Sequence, residues 1–202
     1  MLRLLAAALL LAGCAQDPAP SATPEPDAAA LEAPPEDEVA VAEIQPIGDG
    51  TVSGTVTFTQ LDDAVEVRLD LADFRSEGLH GLHVHETGDC GPDSTGTPGG
   101  AAGGHFNPLS SPHGAPGERP GARHAGDLGN VEPEATGRAV GASVDSVLAL
   151  SGPTSVLGRA VILHAAADDL TSQPSGDAGA RIGCGVVRAA RPPAGSSAVP
   201  AP

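Results

Sequence analysis

The chain has no Trp, no Tyr and no Lys, and three Phe are its only aromatic residues. A core must therefore be filled by aliphatic side chains, and 202 residues carrying 27 Gly and 20 Pro suffice for one such core with unstructured ends. Without Lys, basic charge rests on Arg alone, and a formal net charge of −16 argues against nucleic acid as a partner. No apolar run reaches the roughly 20 residues of a membrane-spanning helix, and no stretch carries a convincing helical stripe.

What is present at the start is MLRLLAAALLLAGC: a basic residue, Arg3, then a short apolar run of the kind that exports a protein and is removed. Leu11-Ala12-Gly13-Cys14 resembles the bacterial lipoprotein box. Residues 1–13 are then a lipoprotein signal peptide, and the mature chain begins at a lipidated Cys14. The alternative is a plain signal peptide with an incidental cysteine. Multiple acyl chains at Cys14 would hold the protein stably on a membrane. Residues 14–42 are Pro, Ala and acid (Asp17, Glu25, Asp27, Glu32, Glu36, Asp37, Glu38), too apolar-poor to offset ordering entropy. They read as a disordered tether spanning on the order of 25 to 30 Å or more. The tail 191–202 reads the same way. The folded domain is expected over 43–190, and its location is extracytoplasmic, in a periplasm or cell envelope.

Setting Cys14 aside leaves Cys90 and Cys184. In an oxidising compartment they can pair, and closing so long a loop stabilises by several kcal/mol in the chain-entropy model. Two free buried thiols are the alternative.

Period-two alternation marks strands at Val52–Phe58 and Val65–Leu71. Further runs occur at Leu79–His85, Gly137–Val144, Ser146–Leu150, Arg159–His164 and Gly185–Arg188. Gly, Asp and Pro separate them, the pattern of an all-β antiparallel sandwich or barrel of about eight strands. Two connections, Gly88 to about Glu134 and Ala165 to Arg181, are far longer than hairpin turns. Loops of that length in a compact domain carry function or contradict the assignment.

All seven histidines fall on one strand, in these loops or at the boundary between them. In Gly81-Leu82-His83-Val84-His85 an extended backbone sends both imidazoles to one face and Leu82 and Val84 to the other. Alone, such a pair is weak, more often two surface histidines than a site. The first long loop adds His105, His113, His124 and Asp127, and three imidazoles with one carboxylate suit a tetrahedral zinc site. His164 ends a strand where it can complete a nitrogen-only set with His83 and His85, which Cu(II) favours.

The segments GLHGLHVHETGDC, GGHFNPLSSPHG, RHAGDLGN, LHAAADDL and GARIGCGVV resemble, in order, the signature segments of copper,zinc superoxide dismutases. The similarity covers roughly Ala42 to Ala190. The resemblance implies a Greek-key fold and copper bound by His83, His85, His105 and His164. It implies zinc bound by His105, His113, His124 and Asp127, with His105 shared between the metals and serving as proton donor. It also implies a carboxylate, Asp168, linking a copper and a zinc histidine, a disulfide between Cys90 and Cys184, and Arg181 as the cation that attracts superoxide. His80 corresponds to a structural histidine. A homodimer is compatible with the resemblance, without a defined geometry.

Two features depart from the family. The second long loop has only Arg181 where relatives usually add lysines, which predicts weak electrostatic steering and a shallow dependence of rate on salt. Gly91–Gly103, rich in Gly, Pro and Thr, is an insertion between Cys90 and His105. The competing function is a metal-binding lipoprotein that buffers or delivers copper; it would need the histidines but neither Arg181 nor a shared ligand.

Overall fold

The computed structural model describes residues 38–190. The expectations for the signal peptide, Cys14, most of the tether and the tail lie outside the described residues.

Eight antiparallel strands form one sheet, in the order β5-β4-β7-β8-β1-β2-β3-β6. They are β1 (Val39–Pro46), β2 (Ser53–Gln60), β3 (Val65–Ala72), β4 (His80–His85), β5 (Asp127–Val131), β6 (Ala139–Asp145), β7 (Ala160–His164) and β8 (Arg181–Ala189). Only β1, β2 and β3 form a simple meander. The chain then crosses to β4, and β6 returns beside β3 while β7 returns beside β4, so the sheet curls into a Greek-key barrel. The two edges are β5 and β6, consecutive in the chain.

Alternation along each strand fills the barrel. Ile44, Val56, Phe58, Leu71, Leu82, Val84, Val161 and Leu163 are among the buried side chains of the main core. The other face of β7 and β8 contributes Ala160, Ile162 and Cys184 to a smaller cluster with Ala102, against which Ile47 and Cys90 pack. This satellite core seats the first long loop on the barrel wall. Cys90 and Cys184 form a disulfide across it.

Three expectations are corrected. Val39–Ala42, assigned to the tether, already belong to β1, where Ala40 and Ala42 are fully buried; such small residues beside an acidic run carry little hydrophobic signal. The long connection Gly88–Glu134 is interrupted by β5, which pairs with β4, and by a single 3-10 turn at Gly100–Ala102. Ser146–Leu150 is not a strand: the Asp145 carboxylate accepts from the backbone of Val147 and Leu148 at 2.8 and 2.9 Å, which turns the chain out of the ladder.

Candidate metal centre

The site grows from β4. Leu82 and Val84 enter the main core, so period two points His83 and His85 outward beneath the loops, and all six residues of the strand are buried. His80 has the parity of Leu82 and Val84. Its ring packs on Phe74 and its Nδ1 bonds the His164 carbonyl at 2.8 Å, so it fixes a neighbouring backbone, as a structural histidine would. His164 continues the outward face of Ile162 on β7, which pairs with β4. His105 is stitched alongside: Phe106 N–H donates to the Val84 carbonyl at 2.8 Å and Val84 N–H to the Gly126 carbonyl at 2.9 Å. Gly126 permits that approach, since a Cβ there would lie 2.2 Å from the Val84 carbonyl oxygen.

Two groups of donors result, and His105 belongs to both. His83, His85, His105 and His164 each present a ligand atom within 4.8 Å of the others, as do His105, His113, His124 and Asp127, and all seven residues are buried.

In the first group the outer nitrogens have protein partners. His83 Nε2 bonds Asp168 at 2.8 Å, His85 Nδ1 donates to the Gly103 carbonyl at 3.0 Å and His164 Nδ1 to the Gly179 carbonyl at 3.0 Å. The inward atoms His83 Nδ1, His85 Nε2, His105 Nε2 and His164 Nε2 are buried with no partner at all. Orphaned buried polar atoms are costly and rare. Four of them converging is what a cation with nitrogen ligands would complete.

The second group contracts around a point. Asp127 Oδ1 lies 2.8 Å from His105 Nδ1, 3.0 Å from His113 Nδ1 and 3.2 Å from His124 Nδ1, and the nitrogens of His124 and His105 are 3.4 Å apart. One carboxylate oxygen cannot serve three imidazoles as hydrogen-bond donors. Four ligands at roughly 2.0 to 2.1 Å from zinc would be about 3.3 Å apart at the corners of a tetrahedron, so these spacings fit that ion.

Protonation favours metal. Burial holds His105 down to about 4 and His164 to about 3, and pushes His85 well below its ordinary value, with the nearby Arg181 charge adding to the effect. Burial would raise Asp127, but hydrogen bonds from His105 and His124 outweigh it and hold the carboxyl far below the usual range. Burial also opposes a charge on His113, yet Asp168 and Asp127 raise it. A cation in the second group would take over the balancing of Asp127 from such a proton.

Asp168 spans the two groups: its Oδ2 meets His83 Nε2 at 2.8 Å and its Oδ1 meets His113 Nε2 at 2.9 Å. The seven predicted ligands and Asp168 thus come together, and further side chains hold them in place. Asn130 bonds both backbone N–H and carbonyl of Asp168, at 2.7 and 2.8 Å. Gln173 does the same for His113, at 2.8 and 2.9 Å. Arg123, 1% exposed, donates to the carbonyls of His124, Ala125 and Asp127 and to the Asp145 carboxylate, joining the zinc-side loop to the end of β6. Adjacency to His124 in RHAGDLGN was the one available signal for Arg123.

Comparison with known proteins agrees with this geometry. The family model for copper/zinc superoxide dismutase matches residues 52–187. A Superoxide dismutase [Cu-Zn] of Saccharomyces cerevisiae is 40% identical over 148 residues, covering 69% of this chain and 92% of the relative. The protein of the same name from Paramecium bursaria Chlorella virus 1 is 38% identical over 145 residues, covering 69% of this chain and 74% of the relative.

Proposed function

The chain belongs to the copper/zinc superoxide dismutase family, and from that premise we propose how its residues divide the work. The protein is a superoxide dismutase with copper and zinc as cofactors. His83, His85, His105 and His164 hold copper, and His105, His113, His124 and Asp127 hold zinc. The observation that carries this division is the set of four partnerless nitrogens meeting a contracted second set through one shared ring.

Copper, when bound, supplies a one-electron couple, so that two superoxide ions and two protons become O₂ and hydrogen peroxide. His105 is the proton carrier. Its Nδ1 faces the zinc-side donors and its Nε2 the copper-side donors, so Nε2 can take a proton while Nδ1 keeps the ring in place, then pass that proton to the departing peroxide. Asp168 keeps the rings of His83 and His113 oriented from behind. Arg181 recognises the anion: its guanidinium is permanently charged, and its charge is felt at His85 and His164.

Purified protein should contain both metals and accelerate superoxide decay in proportion to its copper. Zinc without copper-dependent turnover would favour a metal buffer instead. His105→Ala is expected to disturb loading of both metals; normal occupancy of each would refute the shared ligand.

The same reading places the protein outside the cytoplasm, lipid-anchored at Cys14 in a periplasm or cell envelope, with residues 1–13 removed. Support comes from the apolar run ending in Leu11-Ala12-Gly13-Cys14 and from the Cys90–Cys184 disulfide, which persists in oxidising compartments. Cys14→Ser should release a soluble, unlipidated product; unaltered membrane fractionation would exclude the anchor.

A further inference from the structure

An arginine that recognises a small anion must itself be aimed, and the groups that aim Arg181 lie in the Gly91–Gly103 stretch. Arg181 Nη1 donates to the Gly99 carbonyl at 2.5 Å and Nη2 to the Gly103 carbonyl at 2.7 Å. These two carbonyls flank the 3-10 turn Gly100–Ala102. The Gly103 carbonyl also accepts from His85 Nδ1, so one peptide oxygen orients a metal-side histidine and the guanidinium together. Two of the five guanidinium N–H groups are thereby used, which leaves the others free for an anion.

The turn is organised from Asp93. Its Oδ1 accepts from Thr95 N–H at 2.8 Å, Thr97 N–H at 3.0 Å and the Thr95 hydroxyl at 2.7 Å. Its side chain also lies directly against Gly100, where a Cβ would come 2.6 Å from Asp93 Oδ2. Beyond it, Thr87 N–H and hydroxyl donate to the carbonyls of Ala102 and Ala101 at 3.0 and 2.6 Å, and Ala102 is buried in the satellite core beside Cys184. Gly99 completes the geometry: its φ is 65°, and a Cβ there would meet Ile47 Cδ1 at 2.7 Å.

We propose that Asp93 is a positioning residue for the anion: through the Asp93–Thr97 turn it fixes the Gly99 and Gly103 carbonyls that aim the Arg181 guanidinium. This rests on the reading of Arg181 given above. The insertion is then a working part of the site, contributing orientation of a donor that a free arginine side chain would otherwise lose to rotamer freedom.

Azide, a small anion that binds copper, serves as probe with the copper- and zinc-loaded protein, its dissociation constant read from the copper absorption. Asp93→Ala should weaken azide by about tenfold, the scale of losing hydrogen bonds to a charged group, with both metals retained. Asp93→Asn keeps the acceptor oxygen and should stay within about twofold of the parent. In an Arg181→Ala background, Asp93→Ala should add nothing, because coupled residues are non-additive. Unchanged azide affinity in Asp93→Ala, an undiminished effect without Arg181, or loss of copper would each overturn the inference. If Arg181→Ala alone leaves azide binding intact, the anion role of Arg181 fails and the positioning role falls with it. A strong Arg181 effect with a silent Asp93 removes only the latter. Should Asp93→Ala not fold, Gly99→Ala disturbs the same carbonyl from the other side, with the same expected losses.

Discussion

Ligands carried by strands and ligands carried by loops are oriented by different means in this protein. His83 and His85 sit opposite Ile162 and Ala160 in the β4–β7 ladder, and His164 ends the same pair of strands. Their direction follows from backbone hydrogen bonds and alternation. His113 and His124 have no ladder. They are held by single side chains: Gln173 on the backbone of His113, Asp168 on its ring, and Arg123 on the carbonyls around His124. A strand distributes the task over many peptide groups, whereas a loop concentrates it in a few residues whose loss cannot be shared.

The largest expected effect follows from Arg123. Removing a buried guanidinium leaves the Asp145 carboxylate without its countercharge and three carbonyls short of a donor, a loss of about 3–5 kcal/mol for breaking a buried pair. Arg123→Ala should therefore unfold at markedly lower denaturant, and the folded fraction should lose zinc to a chelator well before copper. Arg123→Lys should recover little, since a point charge cannot reproduce the fork by which the guanidinium serves four acceptors. Equal loss of both metals would break the contrast between strand and loop, because it would mean the clamp acts on the barrel as a whole.

Acting on both sets at once is the response of metal-free protein to pH. Unfolded histidines bind protons below about 6.5, while His105 waits until about 4 and His164 until about 3. Their folded values are depressed, so the unfolded state takes up protons first and stability falls as pH drops from about 6.5 toward 3. His113 works the other way, its raised value adding stability on protonation, and His85 adds to the loss. The net change is expected to be a few kcal/mol, seen as a falling denaturation midpoint in chelated protein. A loaded sample should stay level over the same range until protons displace the metals; a level curve for the metal-free form would contradict the burial argument.

The strand-borne half of the site is also the half that can be read from residues alone. Period two in Leu82-His83-Val84-His85 gives which rings share a face and why His80 does not. In the loop-borne half the donor types, three imidazoles and a carboxylate, suggest zinc, but how they converge is legible only through the resemblance of whole segments, because nothing local in SSPHG or RHAGDLGN sets a direction. Its clamps were invisible: an arginine followed by histidine reads as surface charge until its four acceptors are seen, and Gln173 is 60 positions from the histidine it holds. The fold errors have the same origin. The buried face of β1 ahead of Ile44 is alanine, too small to show a pattern beside acids, and Ser146–Leu150 is apolar enough for a strand until Asp145 turns it.

A second arginine offers the smallest effect and the cleanest control. Arg138 grips Asp70 with two hydrogen bonds, Nε to Oδ1 at 3.0 Å and Nη2 to Oδ2 at 2.8 Å, a fork like that of a buried pair. It lies just before β6 and joins β3, and both side chains are more than half exposed. Solvent screens the charges in either state, and the β3–β6 ladder already fixes the two backbones from Val65 to Leu71. Arg138→Ala should therefore move Tm by no more than about 2 °C and leave both metals bound. A shift comparable to that of Arg123→Ala would mean that strands in this barrel depend on side-chain clamps as the loops do, and that burial of Arg123 is not what sets it apart.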